Sequence, residues 1–387
     1  MKPLSSLTDG LVQSEIRAVT ARVNAVNGIN LGQGICDMPT PDTIKEGAKA
    51  AIDQDKSIYT PYDGVPVLKE RIMEKVRGFN HIPIQGPGNI MVTAGSTGGF
   101  VTAVFALLDP GDEVIQFEPF YGYHSRLLNL RGVKQKALPL HPPAWEVNFD
   151  RLETLITPKT KAFILTTPNN PCGKVWSRRE LEQLLELMKK HDLYAITDEV
   201  YEYMTYDGRR HISLASLDGG FERTITLSSF SKTFNMTGWR LGYATGPEEI
   251  IANMGLLSDL FYICAPSPLQ YGLAEGFADG PGYYEDLLRD YDTKRTRMCL
   301  ALEKAGFEVP WPEGAYYVFA GFRPLSGRPG FDDARQACYT LIDRIGVGSI
   351  PGSSFYSDPA DGRYLLRFCF AKKEDELDEA CRRLEGL

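Results

Sequence analysis

The sequence KAFILTTPNNPCGKVWSRRELEQLLELMKKHDLYAITD, residues 161–198, contains two strand patterns separated by one amphipathic helix pattern. Lys161–Thr166 and Leu193–Thr197 are short apolar runs of the kind that forms buried strands. Between them, Ser177 and Glu180 have the spacing of a capping box, and the apolar residues that follow share one helix face: Leu181, Leu184, Leu185 and Met188. This order predicts a unit of two parallel strands joined by a helix.

The same alternation continues on both sides of this unit. Asp112–Phe117 and Thr224–Leu227 are further strand patterns, and Met91–Gly99 reads as a strand that leads into a glycine-rich helix start. We therefore predict an α/β fold, in which helices cover both faces of a mainly parallel sheet.

The last hundred residues have a different, α+β pattern. Tyr283–Ala305 predicts one long helix, which is followed by strands at Tyr316–Ala320 and Tyr364–Phe370 and by a charged helix from Glu374. We predict an N-terminal arm and part of a small domain at 1–40, a large domain at 41–282 and a small C-terminal domain at 283–387.

Composition excludes several classes of function. The 42 Lys and Arg against 50 Asp and Glu give a net charge of −8, which argues against binding to nucleic acid or to anionic membranes. The seven cysteines form no Cys-x-x-Cys pair and the five histidines have no zinc-type spacing, so we expect neither disulfides nor a metal. With no signal-peptide pattern and no membrane-length apolar run, the sequence predicts a cytoplasmic protein.

Polar and aromatic residues follow the predicted strands at one edge of the sheet. Tyr121, Asn170, Asp198 and Lys232 each come shortly after a strand, and Gly95 begins the glycine-rich helix. Ligands of parallel sheets bind at the carboxyl ends of the strands, where these residues converge. Taken singly, each residue also has an ordinary structural interpretation, such as a helix cap, a turn or a surface lysine.

The joint order of these motifs resembles a known family. The sequence is similar to the fold-type I, class I/II aminotransferases that use pyridoxal 5′-phosphate, near their aspartate, aromatic and kynurenine branch. The matching motifs run along almost the whole chain: Asn30–Gly34, Tyr59–Gly64, Thr93–Gly99, Pro119–Tyr121, Pro168–Gly173, Asp198–Tyr201, Ser228–Gly242 and Arg367. Ser229-x-x-Lys232 followed by Gly238-Trp239-Arg240 is the most specific of them.

The resemblance implies roles around the cofactor ring. Lys232 matches the lysine that binds the cofactor as a Schiff base and then carries the proton between the substrate α-carbon and the cofactor carbon C4′. Asp198 matches the carboxylate that keeps the ring nitrogen protonated. Tyr201 and Asn170 match the residues that bind the ring oxygen, and Tyr121 matches the stacking aromatic.

The resemblance also implies how the phosphate and the substrate are held. The phosphate would be bound by the residues that match the family's anion site, Gly95, Ser96, Thr97, Ser229 and Arg240. Arg367 matches the arginine that binds the substrate α-carboxylate, next to Asn170 and to the backbone of Gly34. Tyr59, rather than Tyr62, matches a tyrosine supplied by the partner subunit, which implies a homodimer with shared active sites.

The predicted reaction is transfer of an amino group from an L-amino acid to a 2-oxo acid such as 2-oxoglutarate. Since no second arginine for a distal carboxylate is evident, we expect an aromatic or bulky apolar donor, with pocket candidates Tyr123, Tyr262, Tyr316 and Phe355. A β-lyase, cyclase or synthase would use the same Lys232 after a different second step. A non-catalytic binding module of this fold is the third alternative, although no helix-turn-helix pattern accompanies it.

Overall fold

The computed structural model of the chain describes residues 5, 7, 15–277 and 280–387. Its strands are β1 (Ile29–Asn30), β2 (Ile90–Ala94), β3 (Glu113–Glu118), β4 (Lys134–Pro139), β5 (Thr160–Thr166), β6 (Tyr194–Asp198), β7 (Thr224–Ser229), β8 (Leu241–Thr245), β9 (Tyr317–Gly321), β10 (Val347–Gly348), β11 (Ile350–Pro351) and β12 (Leu365–Cys369). Its helices are α1 (Glu15–Ala25), α2 (Asp42–Asp53), α3 (Pro66–Gly78), α4 (Gly95–Leu107), α5 (Gly122–Arg131), α6 (Phe149–Thr154), α7 (Arg178–His191), α8 (Phe230–Thr233), α9 (Glu248–Tyr262), α10 (Ser267–Gly276), α11 (Gly280–Lys304), α12 (Ala334–Ile345) and α13 (Glu374–Glu385).

A seven-stranded sheet carries the polar edge that the sequence predicts. Its strand order is β2-β8-β7-β6-β5-β3-β4, and every strand except β8 runs in the same direction. The prediction of a mainly parallel sheet is therefore confirmed. The central strands are buried along almost their whole length, as expected where helices cover both faces.

The helix α7 shows how the sequence fixes the elements between these strands. Ser177 Oγ accepts a hydrogen bond from the backbone of Glu180, whose carboxylate accepts one from the backbone of Ser177, so the predicted capping box is confirmed. The apolar stripe of this helix is fully buried against the sheet. On either side of α7, β5 and β6 pair in parallel, so their carboxyl ends open at the same edge of the sheet.

The C-terminal segment forms a second, antiparallel sheet of order β11-β12-β9. The first residues of the described N-terminal part join this region, since β1 pairs with β10 and α1 contacts β10, β11 and α12. The predicted domain boundaries at 40/41 and 282/283 remain a prediction, and most of residues 1–14 lie outside the described residues.

The predicted element bounds differ from the structure by only a few residues. The helix predicted at Tyr283–Ala305 starts earlier, at Gly280, and the strand predicted at Asp112–Phe117 is shifted by one residue. Within the described part of the chain, every helix is too short or too polar to cross a bilayer. All seven cysteines are described, and none is disulfide-bonded.

Candidate active site

A cavity of about 260 Å³ opens where β5, β6 and β7 end. Most of the residues that the sequence singled out line it together: Gly34, Ser96, Thr97, Tyr121, Asn170, Asp198, Tyr201, Ser229, Lys232, Arg240 and Arg367. They come from segments that are far apart in the chain, and the parallel strands bring them to one edge.

Lys232 extends from the short helix α8, directly after β7, and its amine lies against Gly34. Nζ donates a hydrogen bond to the carbonyl oxygen of Gly34 at 3.0 Å and lies 5.4 Å from the centre of the Tyr316 ring. Burial lowers the pKa of the Lys232 ammonium, and the positive charges of Arg367 and Arg240 lower it further. A lysine with a lowered pKa is better able to release its proton and act as a nucleophile or base.

Asp198 ends β6 with one carboxylate oxygen paired and the other unpaired. Oδ2 lies 3.2 Å from Nε2 of His124. Oδ1 is buried and has no hydrogen-bond partner among the described residues. Since a buried acceptor left unpaired costs about 1–3 kcal/mol, an oxygen at this cavity wall fits a ligand that presents a proton donor, as a protonated pyridine ring nitrogen does.

The amino end of α4 forms an anion site. Gly95 has a φ of +70°, and a Cβ at this position would lie 2.4 Å from Nη2 of Arg240, so only glycine allows the guanidinium to approach the helix start. Ser96, Thr97 and Ser229 line the cavity at the same end, together with Ser231, whose buried hydroxyl has no partner among the described residues. Helix dipole, hydroxyl donors and one cation are the groups that a phosphate dianion requires.

Arg367 is fully buried on β12 and keeps donors available on one side. Nη1 donates to Oδ1 of Asn170 at 2.7 Å, Nη2 donates to the carbonyl oxygen of Gly32 at 2.6 Å, and Nε has no partner among the described residues. The guanidinium stacks over the Tyr317 ring at 4.4 Å. A buried cation with spare donors at a cavity wall fits a carboxylate that binds through two hydrogen bonds.

Two tyrosine hydroxyls complete this wall. Oη of Tyr201 lies 3.1 Å from Oη of Tyr317, and a Cβ on Gly34 would lie 1.9 Å from the same Tyr317 oxygen. Burial raises the pKa of Tyr201 well above its usual value and that of Tyr317 to about 12, so both hydroxyls keep their protons near neutral pH. A side chain at position 34 would collide with Tyr317.

Some predicted residues lie away from the cavity wall. Gly95 does not line the cavity itself, although Arg240 approaches it closely, and Tyr59 is 82% exposed in the single chain. Of the pocket candidates, Tyr123 lines this cavity and Phe355 lines an adjoining one, whereas Tyr262 and Tyr316 line neither.

Three residues at the site were not predicted from the sequence. His124 holds Asp198 and lies one helical turn after Tyr121, so an i,i+3 relation on α5 was the available signal. Ser231 lies within the quoted lysine motif, and Tyr317 follows Tyr316 in the chain. The direction in which each of these side chains points depends on tertiary packing. The sequence motifs alone therefore did not identify His124, Ser231 and Tyr317 as site residues.

The opposite side of the Asp198–Glu202 segment is anchored by a buried charge cluster. Glu202 pairs with Lys75 at 2.5 Å and accepts a hydrogen bond from Ser228 Oγ at 2.7 Å. Glu199 pairs with Nε2 of His211 at 2.7 Å and accepts a hydrogen bond from Thr197 at 2.8 Å. Asp198 and Tyr201 face the cavity. Glu199 and Glu202 therefore stabilise the same segment on the side that faces away from the cavity.

Substitution of Arg367 by lysine is expected to weaken every amino acid and 2-oxo acid substrate together. Lysine keeps the charge but loses the planar fork, so KM should rise about tenfold or more for all substrates whatever their side chains. Steady-state kinetics with one aromatic, one aliphatic and one acidic donor measure this. Loss confined to acidic donors would show that Arg367 binds the distal group instead.

Comparison with known proteins gives the family. Residues 26–384 match the model of the family described as aminotransferase class I and II. The chain is 36% identical to a probable N-succinyldiaminopimelate aminotransferase of Mycobacterium tuberculosis, over 97% of this chain and 96% of that protein. It is 34% identical to aromatic-amino-acid aminotransferase 2 of Thermococcus litoralis, over 99% and 98% of the two chains.

Solved structures agree with this result. An Escherichia coli protein described as having a methionine aminotransferase function, YbdL, superposes with a TM-score of 0.94 at 31% identity over the whole of both chains. The chain therefore belongs to the class I and II aminotransferases. It transfers an amino group between an amino acid and a 2-oxo acid.

Proposed function

We propose that this chain binds pyridoxal 5′-phosphate in the cavity and transfers the amino group of an aromatic or bulky apolar L-amino acid to a 2-oxo acid such as 2-oxoglutarate. The observation that carries the proposal is that the Lys232 amine, the unpaired Asp198 oxygen and the Arg367 guanidinium all line one cavity. The family as a whole depends on this cofactor, and the anion site at α4 fits its phosphate.

The residues divide the chemistry among them. When bound, the cofactor supplies an electron sink for the substrate α-carbon. Asp198, positioned by His124, would keep the ring nitrogen protonated. Lys232 would take the proton from the substrate α-carbon and deliver it to the cofactor carbon C4′, while Arg367 and Asn170 would hold the α-carboxylate in place.

The donor class rests on the side of the cavity next to Arg367. An adjoining cavity of about 170 Å³ is walled by aromatic and aliphatic side chains, among them Tyr121, Tyr123, Phe355 and Ile350. Such walls favour aromatic or bulky apolar side chains because burial of their surface contributes about 25 cal/mol per Å².

A donor screen tests the reaction and its specificity. The protein loaded with pyridoxal phosphate is incubated with single L-amino acids and either 2-oxoglutarate or pyruvate, and both the new amino acid and free ammonia are measured. Transamination yields the new amino acid without ammonia, and phenylalanine or methionine should exceed alanine. Ammonia release with a 2-oxo acid product would instead identify a lyase.

We also propose that the chain is a homodimer whose active sites are shared. Tyr59 is 82% exposed, and its segment packs through Tyr62 onto Gly255 of α9. The same helix exposes Leu256 and Leu260, which lie four residues apart and therefore on one face. An exposed apolar surface of this kind favours an interface, and a symmetric dimer would place Tyr59 at the partner's site. We place the dimer in the cytoplasm, which agrees with seven unpaired cysteines.

Mixed dimers are expected to recover activity from two inactive variants. Lys232→Ala and Tyr59→Ala chains are each made, unfolded and refolded together. In a mixed dimer, one site would then combine the intact Lys232 of one chain with the intact Tyr59 of the other, while the second site carries both defects. Activity should return to about half that of a wild-type dimer. Mixed dimers that are confirmed by mass and stay inactive would show that Tyr59 acts within its own chain.

A further inference from the structure

The cavity that adjoins Arg367 is also lined by two side chains of opposite charge. It shares Tyr121, Tyr123 and Arg367 with the larger cavity, so a substrate held by Arg367 can extend its side chain into it. Among its lining residues are also Arg126 and Glu15. Neither belongs to the motifs through which the sequence resembles the aminotransferases.

Arg126 brings hydrogen-bond donors that nothing else in the described structure uses. It lies on α5, and its guanidinium is 5.9 Å from the centre of the Tyr123 ring. The side chain of Arg126 makes no hydrogen bond and no ion pair with any residue that the structure describes. A half-buried arginine at a cavity wall without an acidic partner offers its five N–H groups to a ligand.

Glu15 brings a matching acceptor. At the start of α1, its Oε2 accepts a hydrogen bond from Nη2 of Arg335 at 3.2 Å. Its Oε1 is buried and has no partner among the described residues. A buried carboxylate oxygen in this state is costly, and a donor in the cavity would remove that cost.

We propose that Arg126 and Glu15 form a specificity subsite for amino acid side chains that end in a neutral group with a donor beside an acceptor, as a carboxamide does. The carboxamide oxygen accepts from Arg126, and its NH₂ donates to Oε1 of Glu15. The inference rests on the proposed function, because it takes Arg367 as the binding site of the α-carboxylate.

Other side-chain ends leave part of this pair unsatisfied. A distal carboxylate would be attracted by Arg126 but repelled by Glu15. A distal ammonium would be attracted by Glu15 but repelled by Arg126. A purely apolar end would gain from burial against the aromatic walls but would make no hydrogen bond to Arg126 or Glu15. The aromatic walls of the cavity accept the stem in every case, so the subsite acts on the end group and adds to the apolar preference rather than replacing it.

Three unreactive acids of matched length test the subsite by binding alone. Pentanoate, glutarate and glutaramate, the monoamide of glutarate, carry the same carboxylate for Arg367 and end in a methyl, a carboxylate and a carboxamide. Isothermal titration calorimetry of the cofactor-loaded protein measures each dissociation constant. Glutaramate should bind about tenfold more tightly than either of the others, which corresponds to about 1.4 kcal/mol.

Two variants identify the residues responsible. Arg126→Met keeps an unbranched stem and should remove the advantage of glutaramate over pentanoate. Glu15→Gln keeps the shape, replaces repulsion by a donor amide, and should make glutarate bind at least as well as glutaramate. Arg17→Met serves as the control, because Arg17 is exposed on the same helix α1 and lies outside the cavity lining.

The outcomes separate this inference from the proposed function. Equal affinities of glutaramate and pentanoate in the wild type, or variants that change all three acids alike, would overturn the subsite while leaving transamination intact. Failure of Arg367→Lys to weaken any of the three acids would instead overturn the assignment of Arg367, and the subsite with it. In kinetics, the ratio of kcat/KM for glutamine over methionine should fall about tenfold in Arg126→Met.

Discussion

Substitution of Lys232 by alanine is expected to lower the rate of transamination by at least 10⁴-fold. Proton transfer by a positioned base alone contributes about 10²–10⁴-fold, and the alanine variant also loses the nucleophilic amine. No other lysine lines the cavity among the described residues, so none can take its place. Single-turnover absorbance with a saturating donor measures the loss.

Borohydride reduction gives a second measurement on the same residue. Treatment of the cofactor-loaded wild type should attach the cofactor to Lys232 alone, as seen by peptide mass, whereas the alanine variant should release it on denaturation. Lys161→Ala, at an exposed position on β5, is the control and should behave as the wild type. Recovery of the label on a different lysine would remove Lys232 from the proposed mechanism.

The lowered pKa of Lys232 predicts how the activity changes with pH. Below its pKa the amine is an ammonium ion, which can neither attack nor accept a proton, so kcat/KM should fall on the acid side. Because burial lowers the pKa of Lys232 from its ordinary value, activity should extend to a lower pH than an exposed lysine would allow.

Substitution of Asp198 by asparagine is expected to lower kcat about 10³-fold with a change in KM of less than threefold. Asparagine has the same shape and can still bond to His124, but it cannot stabilise a positive charge at Oδ1. The loss of 10³-fold corresponds to about 4 kcal/mol of transition-state stabilisation. Steady-state kinetics give both constants.

An isotope effect distinguishes this role from simple positioning. With a donor deuterated at the α-carbon, the primary isotope effect on kcat should increase in Asp198→Asn, since proton removal becomes rate-limiting. Asp218→Asn, at an exposed site, is the control. Normal kcat with a raised KM in Asp198→Asn would show that this carboxylate only orients the ligand.

The sequence predicted the fold class and the elements around the candidate site well where one local pattern decides the outcome. The capping box of Ser177 and the apolar stripe of α7 depend on residues within one turn of each other, and both were confirmed. The position of Asp198 at a strand end follows from the same logic, because parallel strands share one carboxyl edge.

Features that depend on distant residues were not predicted. The place of β2 at the edge of the sheet beside the reversed strand β8 depends on pairing between segments more than a hundred residues apart, such as Ile90 with Thr245. Arg126 and Glu15 share a cavity although 111 positions separate them. The sequence also offered no sign of Arg126 at the adjoining cavity, because α5 brings it to a wall that no motif indicated.

The buried charge cluster behind β6 has a consequence for how the protein matures. Glu199 and Glu202 hold the cavity wall through His211, Lys75 and Ser228, and every one of these bonds is internal to the polypeptide. Newly made chains can therefore shape the ligand site during folding, before any small molecule arrives. Binding of the ligand then costs little conformational entropy. Chains that have lost their ligand keep the shape of the site and can bind it again.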